Sequence, residues 1–472
     1  MNDQRRTAAA LERWLGEDFA PDPQPAIDRA LQQVATTNQR HRWWPLVPTG
    51  MRGHARGLLY GAVAVAAAIA LLAFGVNGPL TSDTRPDEPA AAPGPKVIVL
   101  SPDGTGDAVS LSAAVDRARD GDIIRLRPGT YIDSVLVDKD ITIEGAGPRG
   151  GVVVVASETL PASSGELADG AQLSQAPYAF AFVESAATIR GLTIQAPEVS
   201  RAVLVIGGEP TLDDLSIRLE GSFEGWEGGL SDPHTAIHFA AGAGGELRDS
   251  DIESGSVHLS DGASPLVANN DITCHMLVSG PGTNPAIESN TIGGDDCQWS
   301  VKVAFGAAPR IEGNDISIAD AEALIVTERT YTFIGSIEAQ DAASAPSSEG
   351  PTIIANRVHS SGTGVVLEGD APVTLLDNDI ESNRIGVTIR GGQPIVRDND
   401  VRGNIVGVTV WSTSPSLTAN RIEGNRTGLQ MDAAANPDMI DNRICGNEDN
   451  LKIAGASIGS VDDTGCLAMP ST

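Results

Sequence analysis

Residues 375–410 read LLDNDIESNRIGVTIRGGQPIVRDNDVRGNIVGVTV, and this stretch contains the same pattern twice. Asn378 and Asn399 are 21 residues apart, and an apolar residue stands three positions before and two positions after each of them. Two more apolar residues follow each asparagine at nine and eleven positions. Apolar residues two positions apart indicate short strands with one buried face. The stretch therefore predicts a repeating unit of short strands.

The same unit continues along the chain at about 21–22 residues per copy, with Gly-rich bends and no helical pattern. Three short strands per copy predict one turn, or rung, of a parallel β-helix. The asparagines then lie above one another, and their amides can bond from rung to rung as a structural ladder. The leucine-rich repeat has a similar period but requires a Leu-dominated signature that is missing here. The ladder positions are Leu192, Leu215, Ser250, Asn270, Asn290, Asn314, Asn356, Asn378, Asn399, Asn420 and Asn442.

The repeats, for example residues 378–389, resemble those of the pectin-lyase-like right-handed parallel β-helix proteins. Residues 101–147 resemble the N-terminal cap of that family, in which Leu111, Ala114, Val115 and Ala118 would lie on a short helix over the open end of the core. The resemblance covers roughly residues 97–466. It implies an all-β protein, a single-stranded right-handed parallel β-helix (solenoid) with an N-terminal capping helix. It leaves the function open, because the same fold carries lyases, hydrolases, esterases, epimerases and non-catalytic proteins.

A membrane span precedes the repeats. Leu58–Val76 is a run of 19 apolar or small residues, which is the length of a transmembrane helix. Arginines without acids stand just before the run, so the positive-inside rule places the N-terminus in the cytoplasm. We therefore expect a single-pass protein of the cell membrane that contacts the lipid bilayer through residues 57–80 and has an extracytoplasmic β-helix. The predicted parts are a cytoplasmic preamble (1–56), the transmembrane helix (57–80), a Pro/Ala-rich linker (81–96) and the β-helix domain (97–472).

The net charge of the chain restricts the classes of ligand that it can bind. The 472 residues carry a formal net charge of −30, and residues 81–472 contain 24 basic and 56 acidic side chains. This balance argues against nucleic acid, which requires a basic surface. It also disfavours a polyuronate ligand unless a cation bridges the two. We therefore predict no cofactor, with calcium expected only for a polyuronate ligand.

The four cysteines all follow the membrane span, where disulfides form and persist. Cys445 and Cys466 are 21 residues apart, one repeat period, so they should occupy the same position in successive rungs and form a disulfide. Cys274 and Cys297 are 23 residues apart and form the second predicted pair.

The expected direction of side chains in the strands identifies candidate catalytic residues. In a strand, the residue between two buried positions faces outward. His238, His258 and Lys302 hold such positions, and Asp232 and His234 precede the strand of His238. A groove over these residues, framed by insertions at 220–235 and 327–350, could supply a His or Asp as a base for proton abstraction. The alternative is that they are ordinary exposed residues of a solvated sheet.

A metal bound by Asp232, His234 and His238 is less favoured, because an i, i+4 spacing suits a helix and this segment is a loop entering a strand. Two classes of function remain. The first is a membrane-tethered extracytoplasmic β-helix that binds an extracellular polysaccharide or has a structural role at the cell surface. The second is a polysaccharide lyase, hydrolase or epimerase. Aromatic residues make up only 4% of the chain, which disfavours a surface for stacking sugars.

Overall fold

The structure is a computed structural model, and its described residues are 94–157, 178–197, 201–220, 235–273, 275–294, 297–327, 350–453, 456–457 and 466. Among them are one α-helix, α1 (Leu111–Arg117), and one 3₁₀ helix (Arg149–Gly151). The remaining elements are 39 β-strands.

The strands form the three sides of a solenoid, called here faces A, B and C. Face A contains β1 (Val97–Leu100), β2 (Ile123–Leu126), β5 (Thr142–Gly145), the first half of β8 (Thr188–Ala196), the first half of β10 (Thr211–Leu219), β12 (Glu246–Arg248), β15 (Leu266–Ala268), β18 (Ala286–Glu288), β21 (Arg310–Glu312), β24 (Thr352–Ile354), β27 (Thr374–Leu376), β30 (Ile395–Arg397), β33 (Ser416–Thr418) and β36 (Asp438–Ile440).

Face B contains β3 (Gly129–Asp133), β6 (Val152–Ala156), the second halves of β8 and β10, β13 (Asp251–Ile252), β16 (Asp271–Thr273), β19 (Thr291–Gly294), β22 (Asp315–Ile318), β25 (Arg357–His359), β28 (Asp379–Glu381), β31 (Asp400–Arg402), β34 (Arg421–Glu423) and β37 (Arg443–Cys445). Face C contains β4 (Val135–Val137), β7 (Tyr178–Val183), β9 (Arg201–Ile206), β11 (Thr235–Ala240), β14 (Ser256–Leu259), β17 (Met276–Ser279), β20 (Trp299–Ala304), β23 (Glu322–Thr327), β26 (Thr363–Leu367), β29 (Ile385–Ile389), β32 (Val406–Val410), β35 (Thr427–Met431), β38 (Asp449–Ile453) and β39 (Ala456–Ser457).

Each strand pairs in parallel with the strand one rung away, and only β39 runs antiparallel to its neighbour, β38, among these named strands. The stack makes about 13 turns. The predicted all-β parallel β-helix is therefore confirmed.

The core runs through the inside of the solenoid as columns of equivalent residues. On face B, Ile380, Val401 and Ile422 stand in register and are fully buried. Each such side chain contributes about 1.5–3 kcal/mol of burial free energy. The alternation that defined the repeat in the sequence therefore marks the residues that hold the rungs together.

The predicted asparagine ladder lies buried at the bend between faces A and B. Asn399 donates through Nδ2 to Asn420 Oδ1 at 2.9 Å and to the carbonyl of Leu375 at 3.0 Å. Its Oδ1 accepts from the backbone N–H of Asn378 at 2.9 Å. The ladder thus satisfies backbone groups that the bend leaves unpaired inside the protein.

A second ladder, which the sequence reading missed, lies at the bend between faces B and C. Asn404 donates to Asn425 Oδ1 at 3.0 Å and to the carbonyl of Ile380 at 3.1 Å. A glycine follows three residues after each of the first three asparagines, at positions 386, 407 and 428. These glycines leave room for the asparagine side chains, since a Cβ on Gly407 would lie 3.0 Å from Asn425 Nδ2. The second ladder comprises Asn383, Asn404, Asn425 and Asn447.

Gly407→Ala should lower the free energy of unfolding by about 2–3 kcal/mol, because inserted methyl groups in packed interiors force backbone shifts. The new Cβ would stand 2.6 Å from the carbonyl oxygen of Gly428 and 2.9 Å from Ile422 Cγ2. Guanidinium unfolding measures the change. Gly150→Ala is the control, because its Cβ would meet no atom within 4 Å. Equal stability of the two variants would show that the second ladder is loosely packed.

The N-terminal helix is present where the sequence predicted it. Ser110 accepts a hydrogen bond from the N–H of Ala113 and so caps the first turn, and Leu111, Ala114 and Val115 are buried. The helix contacts β1, β3 and β4. Its role as a cap of the open end stays a prediction.

The C-terminal disulfide Cys445–Cys466 is present, with Cα atoms 4.2 Å apart, but its geometry differs from the prediction. Cys466 does not begin another parallel rung, because it approaches Cys445 as an isolated antiparallel bridge. The chain has reversed direction after β38, as β39 shows. The bond therefore fastens a returning segment to the last rung. The predicted partner of Cys297, Cys274, lies outside the described residues, so that pair stays a prediction.

No helix among the described residues is long and apolar enough to cross a membrane. The predicted cytoplasmic preamble and membrane span (1–56 and 57–80) lie outside the described residues.

Candidate functional site

The outer side of face C carries the residues that the sequence proposed as catalytic. His238 of β11 stands opposite His258 of β14, and His258 stands opposite Leu277 of β17. Lys302 of β20 follows in the same column. The predicted equivalence of these positions is therefore confirmed.

The two imidazole rings are stacked. Their centroids are 4.5 Å apart, and the ring planes differ by 4°. Each ring also bonds a serine hydroxyl: His238 Nε2 lies 2.9 Å from Ser260 Oγ, and His258 Nε2 lies 3.2 Å from Ser279 Oγ. Ser260 in turn donates to Asp261 at 3.0 Å. The stack is thus held by packing and by hydrogen bonds.

The predicted exposure of this pair is wrong for His258, which is only 5% exposed. Strand alternation correctly points its side chain away from the core, yet it is covered on the outer side. Buried Leu204 and Leu277 flank the histidines in the same column. This part of face C is therefore largely shielded from solvent.

Burial sets the charge of these histidines. It lowers the pKa of His258 to about 4, and the nearby positive charge of Arg201 acts in the same direction. Burial also lowers the pKa of His238 well below its ordinary value, helped by His258 and Arg201. Both imidazoles are therefore neutral at pH 7.

Lys302 belongs to a second cluster on the same face. Its ammonium lies 5.8 Å from the ring centroid of Trp299, and the ring of His275 lies 4.4 Å from that of Trp299. Burial lowers the pKa of Lys302, and it lowers the pKa of His275 to about 3. His275 was not a candidate in the sequence analysis, because it precedes β17 and so does not lie between two buried strand positions. Its contact with Trp299 of the next rung is seen only in the structure. Asp232 and His234 lie outside the described residues, so the structure does not place them beside this column.

A different surface carries a groove of about 620 Å³, on the outer side of face B across β28, β31, β34 and β37. Three acidic and three arginine side chains lie along it. At the bend that follows these strands, residues 403, 424 and 446 are glycines with φ between +61° and +67°. The lining residues are Glu381, Ser382, Asp400, Arg402, Gly403, Arg421, Glu423, Gly424, Arg443, Cys445 and Gly446.

Ion pairs join neighbouring rungs along the groove. Arg402 bonds Asp379 at 2.7 Å and Glu381 at 3.0 Å, and it also bonds Asp400. Arg421 Nη1 lies 3.7 Å from Asp400 Oδ2. The groove is therefore polar and internally charge-balanced.

These contacts keep the groove carboxyls ionised. The hydrogen bond from Arg357 is the largest influence that lowers the pKa of Glu381. Burial opposes ionisation of Glu423, but the hydrogen bonds from Arg421 and Arg443 outweigh it and lower the pKa. Both carboxyls are anions at neutral pH.

Comparison with known proteins agrees with this architecture. Residues 335–461 match the family model of NosD, described as a periplasmic copper-binding protein. The pairing of the described strands shows that this chain is a parallel β-helix protein. No curated protein sequence matches this β-helix protein.

Solved structures resemble the β-helix protein at low identity. The A-module of the mannuronan C-5 epimerase AlgE4 from Azotobacter vinelandii is 16% identical, with 74% of this chain and 93% of that chain covered and a TM-score of 0.41. The Dettilon tailspike protein is 12% identical, with coverage of 73% and 70% and a TM-score of 0.43. The periplasmic alginate epimerase AlgG is 14% identical, with coverage of 76% and 85% and a TM-score of 0.33. At these values the activities of those proteins do not transfer to this β-helix protein.

Proposed function

We propose that this chain is a membrane-tethered, extracytoplasmic β-helix that binds an extracellular polysaccharide in the groove of face B. Residues 57–80 are its anchor in the lipid bilayer, and residues 81–96 hold the β-helix away from the membrane. The Cys445–Cys466 disulfide supports an oxidising, extracytoplasmic location.

The observation that carries the proposal is the groove itself. It crosses four successive rungs, which at the strand spacing gives a length of about 14 Å, suited to an extended chain. Carboxylates and guanidiniums along it supply the acceptors and donors that sugar hydroxyls require. Glycines at the bend leave open space over the backbone, and a Cβ at Gly424 or Gly446 would meet no atom within 4 Å.

The pKa values of the groove carboxyls favour binding without cleavage of the glycan. A glycosidase requires a carboxylic acid whose pKa is raised so that it can protonate the leaving group. The pKa values of Glu381 and Glu423 are lowered instead. The groove carboxylates therefore suit hydrogen bonding to a sugar rather than acid catalysis.

A second candidate function is that of a polysaccharide lyase, hydrolase or epimerase acting at the column of His238, His258 and Lys302, with Asp232 and His234 as further candidate residues from the sequence. Its support is the stacked pair of imidazoles, which are unprotonated at pH 7. Their lowered pKa values make them weak bases at that pH, which weighs against proton abstraction. The burial of His258 weighs against access by a polymer.

We propose no resident metal or other cofactor and no nucleic-acid partner, and calcium has a role only if the ligand is a polyuronate. The family model matched by residues 335–461 is described as copper-binding. Within the part of the chain that the structure describes, no group of three or more His, Cys, Asp or Glu side chains could hold a metal ion. The copper description belongs to that family model, which matches only residues 335–461, and we do not extend it to this chain.

Gly424→Asn should reduce glycan affinity by about tenfold or more while leaving stability unchanged, because asparagine tolerates a φ of +67° and its side chain would enter the groove. Titration calorimetry against a panel of neutral and acidic polysaccharides measures the effect. The control is Gly313→Asn, at a bend with φ of +64° where a Cβ would lie 3.9 Å from the nearest side-chain atom.

The same panel, incubated with and without calcium, separates binding from catalysis. Binding that survives Gly424→Asn would remove the groove from the proposal. Chain cleavage, unsaturated products or epimerised sugars that disappear in His238→Ala would favour the second candidate.

A further inference from the structure

Two arginines at the C-terminal end of the groove share one carboxylate. Arg421 donates through Nε to Glu423 Oε2 at 2.8 Å, and Arg443 donates through Nε to Glu423 Oε1. They stand opposite each other on β34 and β37, one rung apart. Each oxygen of the Glu423 carboxylate therefore accepts one hydrogen bond, and each guanidinium is held through its Nε atom.

This leaves the terminal nitrogens of both arginines available. Apart from the 3.7 Å approach of Arg421 Nη1 to Asp400, which is longer than a hydrogen bond, no Nη atom of either residue has a protein partner in the described structure. Arg402, one rung earlier, differs because its two Nη atoms bond three carboxylates. Arg402 is thus occupied within the protein, whereas Arg421 and Arg443 retain donors for a ligand.

We propose that Arg421 and Arg443 form a clamp for an oxyanion carried by the glycan: a sugar carboxylate, a sulfate ester or a phosphate ester. The inference rests on the proposed function, since it assigns the chemistry of one end of the same groove. Both side chains line the groove and are accessible, at 60% and 68% exposure. Guanidinium groups bind such oxyanions through paired, charge-assisted hydrogen bonds.

The overall negative charge of the protein does not prevent this binding. Exposed charges more than a Debye length away, about 8 Å at physiological ionic strength, are largely screened. Around the clamp, the two guanidiniums face one shared carboxylate, Glu423, and the more distant Asp400. An oxyanion therefore binds here without a bridging cation, in contrast to the expectation drawn from total charge.

Glu423 has a positioning role in this clamp. It is only 17% exposed and bonds both Nε atoms, so it holds the two planar groups side by side before a ligand arrives. Because ordering of long side chains opposes binding, this preorganisation strengthens the clamp.

The test is titration calorimetry of the full chain in detergent, with EDTA present, against sodium sulfate, sodium phosphate, glucuronate and matched acidic and neutral oligosaccharides. Arg421→Gln and Arg443→Gln should each weaken binding of the acidic oligosaccharide by about tenfold. Arg390→Gln is the control, because Arg390 is similarly exposed and ion-paired, to Glu368, but lies outside the groove. The three small anions show which oxyanion the clamp prefers.

Glu423→Gln separates a preorganised clamp from simple charge attraction. The substitution removes a negative charge, so unspecific attraction would strengthen the binding of an anion. A preorganised clamp predicts weaker binding by several-fold, because a glutamine has one acceptor atom for two arginines. Unchanged or tighter binding in Glu423→Gln would overturn the positioning role, and the circular dichroism spectrum verifies that each variant is folded.

The outcomes also distinguish this inference from the proposed function. If neutral oligosaccharides bind as well as acidic ones and the arginine variants bind them normally, the clamp is wrong and glycan binding stands. If the small anions bind and are lost in both arginine variants while no oligosaccharide binds, the clamp stands and glycan binding is wrong. If acidic oligosaccharides bind only when calcium replaces EDTA, the clamp is overturned in favour of a cation bridge.

Discussion

Replacement of Asn399 with alanine is expected to lower the free energy of unfolding by about 4 kcal/mol. The side chain is almost fully buried and belongs to the first ladder. Its loss leaves the carbonyl of Leu375 and the N–H of Asn378 without these partners inside the protein. Each orphaned buried group costs about 1–3 kcal/mol, and the small cavity adds to this. Guanidinium unfolding measures the change.

Asn436→Ala is the matched control, because Asn436 is exposed and only its backbone takes part in the hydrogen bonding described for it. Asn399→Ser should lower the free energy of unfolding by only about half as much as Asn399→Ala. Ser250 already holds the equivalent ladder position upstream, where its hydroxyl accepts from the N–H of Leu215 and its N–H donates to Asn270. If Asn399→Ala lowers the free energy of unfolding by less than about 1 kcal/mol, water has replaced the amide. That result would contradict a ladder from which water is excluded.

The first ladder could be predicted from the sequence because its period is that of the rung. A residue that must satisfy the same backbone groups in every turn recurs with every turn, as Asn378 and Asn399 do. The second ladder has the same period in Asn383 and Asn404, and its signal is the glycine three positions later. That signal has a steric origin which only the packed structure shows, since the glycine matters through its contact with the asparagine of the next rung.

Other features depend on contacts that a repeat does not encode. Alternation gives the direction of His258 but not what covers it, so its burial could not be read from the strand pattern. The spacing of Cys445 and Cys466 equals one rung, yet the chain reverses between them. A separation in sequence fixes how far apart two residues can be, but not the direction in which the chain returns. The groove similarly depends on how three neighbouring columns of residues lie side by side, which the repeat period does not give.

Lowering the pH from 7 to 4 is expected to reduce the free energy of unfolding by about 3 kcal/mol through His258 alone. Its pKa is about 4 in the folded protein and 6.5 for a free side chain, so below pH 6.5 the unfolded chain binds more protons than the folded one. The stability contributed by the neutral ring is complete above pH 6.5 and is lost as the pH falls towards 4. The size follows from about 1.4 kcal/mol for each unit of pKa difference.

The stack couples the protonation of His258 to that of His238, because a charge on one ring disfavours a charge on the other. Protonation of one ring places a positive charge 4.5 Å from the centroid of the other, and Arg201 opposes protonation of both. His258→Leu should therefore flatten the pH dependence of stability between pH 7 and pH 4 by about 3 kcal/mol. Leucine suits the position because Leu277 occupies the next place in the column. Unfolding curves of both proteins across this range measure the difference, and equal slopes would mean that His258 is hydrated in the folded protein.

If His258 were instead a solvated catalytic base, its imidazole resonances would titrate near pH 6.5, so an NMR titration of the folded protein tests burial and the second candidate function together.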